Sequence, residues 1–310
     1  MPESRPISLF LLVFLCSGCG DGAEVGALGE EPGDAGDIDG GGEEAGEAYR
    51  WAPEEGGCNG RVALCDRRYD EVATVTTHNA MASEARGFFG PNQRESITDQ
   101  LLGGVRGLML DTHDDEGVAS LCHGVCLAGR QPLVEGLGEI RAFLDANPRE
   151  VVTIIFESGI GPELTLAAME ESGLMAEVYA HAGGSWPTLG SMIERGERLV
   201  LFTDSGGQIE GPYLDVWAHA WETHYSARTA ADFSCAINRG SMGNALFIFN
   251  HFLTNPIGRA DLAERVNHNP LLIDRVRGCQ EEAGRRANFI TVDFYSIGDV
   301  LEVVDALNAD

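Results

Sequence analysis

From residue 58 onward, short runs rich in β-branched and aromatic residues alternate with longer stretches whose apolar positions recur every three to four residues. The short runs predict strands over 72–76, 105–111, 118–123, 151–157, 198–204, 216–221, 246–251 and 289–295. Several, such as VVTIIFE at 151–157, are apolar at successive positions. That pattern suits strands buried on both faces of a parallel sheet. The longer stretches predict helices over 95–102, 133–147, 164–182 and 258–276. Eight strands with intervening helices over about 250 residues predict an α/β fold, a (β/α)8 TIM-type barrel, regular or distorted. A doubly wound open sheet is the rival. It usually carries a Gly-rich turn after its first strand, and no G-x-G-x-x-G follows residues 72–76.

The first 57 residues follow other rules. Residues 7–15, ISLFLLVFL, form an apolar run behind a single cation, Arg5. A bilayer span takes ~20 residues, so the run fits the core of a secretory signal instead. Cys16-Ser17-Gly18-Cys19 is similar to a bacterial lipoprotein cleavage box, with Cys19 as the lipidated first residue of an exported, cell-envelope protein. Plain secretion is the alternative. Residues 20–57 are acidic, Gly-rich and poor in large apolar side chains, so they cannot offset their ordering entropy. They predict a disordered tether. The expected organisation is a signal and lipobox over 1–19, a linker over 20–57 and a catalytic domain over 58–310.

Charge narrows the partners. The chain carries 49 acidic against 21 basic side chains, a net charge of −28. Nucleic acid is excluded, because no reservoir of cations exists to displace phosphate counterions. Attraction to anionic bilayers is disfavoured. A phosphate substrate would need a metal ion or a few local groups for its positive charge. Of eight cysteines, Cys58, Cys65, Cys122, Cys126, Cys235 and Cys279 lie beyond the signal, an even set that suits an oxidising compartment. Sequence permits many pairings; sequence nearness favours Cys58–Cys65 and Cys122–Cys126, leaving Cys235–Cys279. Among these six no C-x2-C pair points to zinc.

Polar residues collect at the ends of the predicted strands: Thr77-His78-Asn79, Asp111-Thr112-His113-Asp114-Asp115, Cys122-His123-Gly124, Glu157-Ser158, Asn250-His251 and Asp293. In a barrel these ends surround one mouth, where active sites sit.

Thr77-His78-Asn79, Gly104-Val105-Arg106 leading into Leu110-Asp111, His123-Gly124, and Glu157 closing VVTIIFE resemble, in order and separation, the catalytic X domain of phosphatidylinositol-specific phospholipase C. LFIFNHF at 246–252 and NFITVDFY at 288–295 look like late barrel strands of bacterial relatives. The resemblance implies a phosphodiesterase acting on a phospholipid or inositol phosphodiester, with a cyclic inositol phosphate and diacylglycerol as products. It implies His78 as base or transition-state stabiliser, His123 as general acid and Asp293 as the carboxylate that orients His78. Histidines suit both tasks because their pKa lies near neutrality. Asn79, Asp111 and Glu157 match the ligands of calcium-dependent members, and oxygen donors suit Ca2+, with Mg2+ the alternative. Met109 stands where those members carry Glu, and a thioether is a poor ligand for a hard cation. His113, Asp114 or Asp115 would then substitute. His113 occupies the position where metal-independent members carry Arg. His113 and His251 are the expected substrate contacts.

Arg106 is expected in a structural salt bridge. Trp221-Glu222 suits either a sugar-stacking site or core packing. Two other functions stay open. Glycerophosphodiester and sphingolipid enzymes normally begin with His-Arg and keep Glu-x-Asp on the second strand, where this chain has His78-Asn79 and Met109-x-Asp111. A catalytically silent surface lipoprotein that binds inositol phosphates or glycans would not need both histidines. The oligomeric state is open.

Overall fold

The computed structural model describes residues 51–310. The expected signal, Cys19 and residues 20–50 of the expected linker lie outside the described residues. The fold takes in residues 51–57, ahead of the boundary expected at 58. The Trp51 ring lies beneath the guanidinium groups of Arg61 and Arg106, at 5.0 and 5.5 Å.

The strands are β1 (Thr74–Thr77), β2 (Gly107–Asp115), β3 (Val118–Cys122), β4 (Arg130–Pro132), β5 (Val152–Ser158), β6 (Leu199–Thr203), β7 (Leu214–Asp215), β8 (Ala220–Thr223), β9 (Ile237–Gly240), β10 (Leu246–Asn250) and β11 (Phe289–Val292). Their hydrogen-bonded order is β7-β6-β5-β2-β1-β11-β10-β8-β9. Every step from β7 to β8 along that path is parallel. The sheet curls into the expected TIM-type α/β architecture in its distorted form, because β7 and β8 do not pair with each other. Strands β6, β10 and β11 are buried at every position, as their unbroken apolar runs require.

The helices are α1 (Ile97–Leu102), α2 (Leu133–Ala146), α3 (Pro162–Glu171), α4 (Leu189–Arg195), α5 (Val216–His219), α6 (Ala260–Val266), α7 (Leu271–Ala283) and α8 (Val300–Ala309). In α2, Leu133, Leu137, Ile140 and Leu144 recur at helical spacing and are fully buried.

Four expectations change. The strand expected at 118–123 forms, but as the antiparallel return arm of a hairpin on β2, with Thr112 opposite Leu121 and Asp115 opposite Val118. Apolar patterning does not reveal a strand's partner. The strand expected at 216–221 starts instead as α5, because the Asp215 side chain caps Trp217 N at 2.8 Å. The helix expected over 164–182 stops at Gly173, whose left-handed backbone (φ 71°) ends α3, and a 3-10 turn, Leu174–Glu177, follows. The helix expected over 258–276 is divided into α6 and α7 at Asn269-Pro270.

The three expected disulfides, Cys58–Cys65, Cys122–Cys126 and Cys235–Cys279, all form. Arg106 is buried and donates to Glu150 at 2.7 Å, the expected structural salt bridge.

Candidate active site

The polar strand ends meet in one cavity of about 370 Å³. His78 follows β1 and Asp293 follows β11. These strands pair with Thr77 opposite Val292, so the next residue on each stands side by side. His78 Nδ1 lies 2.8 Å from Asp293 Oδ1. The imidazole stacks on Phe252 at 4.0 Å between centroids, which leaves Nε2 toward the cavity. Asn92 Nδ2 donates to the same Asp293 oxygen at 3.0 Å. Gly258 packs against this pair so closely that a Cβ there would lie 2.5 Å from Asp293 Oδ2.

Asn79 adopts a left-handed backbone (φ 47°), a conformation that Asn tolerates better than most side chains. With its nitrogen toward Asp111, the amide donates to both carboxylate oxygens, at 3.1 and 3.2 Å. Its oxygen then accepts from Nε2 of His78 and from Nε2 of His123, each at 3.2 Å. Both imidazoles therefore reach one and the same atom. His123 arrives there because the β2–β3 hairpin doubles back: Leu121 pairs with Thr112, so the chain just beyond Cys122 returns to the level of Asp111.

Charges divide the two histidines. Burial opposes the charged form of His78, but the hydrogen-bonded Asp293 carboxylate, helped by Asp111 and Glu157, outweighs it and raises the pKa. Burial lowers the pKa of His123, and the neighbouring His78 charge lowers it further. A single proton shared by the pair resides on His78 in the free site. Glu157 stands directly opposite Asp111 across β2 and β5. Burial, then the Glu157 charge, pushes the Asp111 carboxyl up to about 7.

Of the other expected site residues, His113 lines the cavity and so does Met109. His251 does not. It is fully buried, its Nε2 2.8 Å from Val266 O and its Nδ1 bonded to Arg275 at 3.0 Å. Successive strand residues point to opposite faces, and it is Asn250 that faces the cavity. His251 is thus a wall residue, not a substrate contact. Trp221 and Glu222 divide in the same way: Trp221 stacks on Phe247 at 3.8 Å in the core, while Glu222 lines the cavity. Asp114 caps Gly117 N at 2.7 Å and Asp115 pairs with Arg130 at 2.6 Å, so both serve the hairpin.

Sequence reasoning misses Arg239. The chain has no lysine, and among the described residues Arg239 is the arginine that lines the cavity. It sits on β9 opposite Glu222 and donates to Glu222 Oε1 at 2.5 Å. Its guanidinium lies over Trp217 at 4.3 Å and over Tyr225 at 4.9 Å. No motif marks it, since β9 is an antiparallel addition to the barrel.

Among the described residues, no three His, Cys, Asp or Glu side chains cluster closely enough to hold a metal by themselves. Asp111 and Glu157 nevertheless share the cavity as carboxylate donors; the Asn79 amide, whose nitrogen faces Asp111 here, would join them only with its oxygen turned toward that carboxylate. The mutual repulsion of the two carboxylates is what a hard cation would relieve.

Residues 64–308 match the model of the PI-PLC X family, PI-PLC X 1. The chain belongs to the PI-PLC X family. The X-domain match spans every strand of the sheet and the whole cavity lining. A PI-PLC X domain-containing protein 1 from the fungus Arthroderma benhamiae is 31% identical over 81% of this chain and 89% of its own length. An uncharacterized secreted protein of the same fungus is 31% identical, and a PI-PLC X domain-containing protein of Arabidopsis thaliana is 30% identical. The chain spans 61% and 62% of the lengths of those two. The PI-PLC X fold is also that of phosphatidylinositol-specific phospholipase C from Listeria monocytogenes, with a TM-score of 0.54 at 15% identity, covering 79% of this chain and 94% of that one. The Staphylococcus aureus phosphatidylinositol-specific phospholipase C gives 0.55 at 14% identity, over 79% of this chain and 94% of that one. The sequence relatives named here are fungal and plant, while the bacterial likeness is one of fold.

Proposed function

We propose that this protein is an exported phosphodiesterase that cleaves phosphatidylinositol-type phosphodiesters by acid–base catalysis. The observation that carries this reading is that two imidazole Nε2 atoms converge on the Asn79 amide in one cavity, one imidazole backed by a carboxylate. Family membership supports the substrate class.

The reaction is an internal phosphoryl transfer. A ring hydroxyl forms a new bond to phosphorus while the phosphorus–oxygen bond to the glycerol breaks. The hydroxyl proton passes to His78 Nε2, and His123 supplies a proton to the departing oxygen. Asp293 holds the His78 ring and stabilises it once protonated. In the free site the shared proton favours His78; a phosphodiester anion held beside His123 moves it to the donor. Arg239 places a permanent cation on the wall for the non-bridging oxygens. Asp111 and Glu157, joined by Asn79 once its amide oxygen is turned toward Asp111, would hold Ca2+ or Mg2+, which when bound adds positive charge for the same oxygens.

Three disulfides among the described residues support an oxidising destination. The name of one relative, an uncharacterized secreted protein, agrees with it. Anchoring through a lipid on Cys19 remains part of the proposal.

The test is incubation of the purified chain with phosphatidylinositol, glycerophosphoinositol and sphingomyelin, with Ca2+ or with chelator. Release of cyclic inositol phosphate, lost in His78→Ala and His123→Ala, is expected. Choline release would transfer the assignment to a sphingolipid enzyme. Absence of turnover on all three would leave a binding protein.

A further inference from the structure

The sheet is not closed: β7 and β8 do not pair, and α5 follows the one and runs directly into the other. Two buried imidazoles stand at that seam. His219, the last residue of α5, donates from Nε2 to Ile209 O at 2.8 Å. His181 lies edge-on to it, with 5.0 Å between ring centroids, and stacks on Trp186 at 4.5 Å. The His181 backbone exchanges two hydrogen bonds with Gly211, at 2.9 and 2.7 Å. Both histidines therefore hold one loop, 205–213, which begins just beyond Asp204 of the cavity wall. Trp217, two residues before His219 on α5, is also a wall residue, and the Arg239 guanidinium lies over its ring at 4.3 Å.

The surroundings keep both rings neutral. Burial, then the neighbouring His219 charge, lowers the pKa of His181, although Glu210 opposes this. Burial lowers that of His219, against the bond to Ile209 and the charge of Asp215. The other groups against them are uncharged: the Tyr179 hydroxyl 3.2 Å from His181 Nδ1, and the rings of Trp186 and Phe202. The imidazoles take up protons more readily once exposed. The closed arrangement therefore loses stability as pH falls below the ordinary histidine value of ~6.5.

We propose that His181 and His219 form an acid-released latch that holds the 205–213 loop and α5 across the β7–β8 seam, and that its opening withdraws Trp217, and with it Arg239, from the cavity. Protonation of one ring places a cation among aromatic side chains and beside the second imidazole. The loop is joined to the rings by Ile209 and Gly211, so it leaves when they move toward water. The latch is separate from the histidine pair of the cavity. Its consequence for turnover, though not its opening, rests on the phosphodiesterase reading above.

The experiment is amide hydrogen exchange of the full chain at pH 7 and pH 5, expressed as protection factors so that the intrinsic pH dependence cancels. Protection at Gly211 and His181 should fall about tenfold or more at pH 5, while β5 keeps its own. In the double variant His181→Phe, His219→Gln, which keeps an aromatic ring and a donor for Ile209, that fall should vanish. His219→Gln alone should diminish it, and serves if the double variant does not fold. The latch is overturned if protection at Gly211 is the same at both pH values, if β5 loses protection equally, or if the variants keep the parent's response. A second measurement reads the cavity. The ratio of kcat/KM at pH 5 to that at pH 7, on glycerophosphoinositol, should be several-fold higher in the variant than in the parent. An equal ratio beside a working latch overturns the link to Arg239. Exchange needs no turnover, so a parent inactive on every phosphodiester would sink the enzymatic reading and leave the latch standing.

Discussion

Asp111 and Glu157 face each other across the β2–β5 pair, and both carboxylates open onto the same cavity. Burial, reinforced by the Glu157 charge, raises the Asp111 carboxyl to about 7. A carboxyl whose folded pKa lies above its unfolded value of ~4 loses stability as pH rises between the two. The cost is therefore complete above about pH 7. In chelator, Asp111→Asn should raise the melting temperature at pH 8 and change it far less at pH 4, with a gain on the order of a few kcal/mol at most. Phosphatidylinositol cleavage should fall sharply in the same variant. Thermal unfolding across pH checks this; an equal shift at both pH values would refute it.

The histidine pair predicts a bell-shaped rate profile. In the proposed mechanism turnover needs one proton on the pair. It is lost above the raised pKa of His78, and a second proton blocks the site below the lowered pKa of His123. The two limbs should straddle the ordinary histidine value of ~6.5. Asp293→Asn removes the charge that supports both protonated rings, so both limbs should move toward acid and the maximum should fall about 10²–10⁴-fold. Measurement of kcat/KM from acid to alkaline pH is the check, and a profile that keeps its limbs in the variant would count against it.

Gly258 acts on the same carboxylate through space. An alanine methyl would lie 2.5 Å from Asp293 Oδ2 and 2.6 Å from Asn92 Nδ2, so that pair must move. Gly258→Ala should reduce kcat about 10²-fold, because small misplacements cost that much. Its alkaline limb should shift in the direction expected for Asp293→Asn. A normal pH profile with a lowered melting temperature would identify a purely structural role.

Arg239 should separate charge from packing. Arg239→Ala should lower kcat about 10²–10³-fold, the usual loss when one transition-state donor is removed. Arg239→Lys should recover little, because an ammonium cannot lie flat over Trp217 and Tyr225 while donating to Glu222. Steady-state kinetics on a soluble phosphodiester decides; full rescue by lysine would show that charge alone suffices.

Cys122–Cys126 brackets His123. Replacing both cysteines by serine frees the loop, and turnover should fall at least about tenfold while far-UV circular dichroism is retained. Unchanged turnover would show that the hairpin register alone positions the imidazole.

Much of this could be read in one dimension. His78, Asn79, Asp111, Glu157 and Asp293 stand out because each lies at the end of an apolar run, and the ends of parallel strands in a curled sheet must converge; His123 also ends an apolar run, but its strand is antiparallel and that rule does not place it. The disulfides followed from nearness along the chain, and the Arg106 ion pair from its place ahead of a buried strand. His251 was misplaced for a reason equally local: alternation along β10 turns Asn250 toward the cavity and its neighbour away. Other features depend on which distant segments meet. The antiparallel pairing that returns His123 to Asp111, the delivery of Arg239 by an added strand and the fit of Gly258 against Asp293 leave no periodic trace. Periodicity records which face of an element is buried; it carries no information about the partner that buries it, and that is settled only when the whole chain packs.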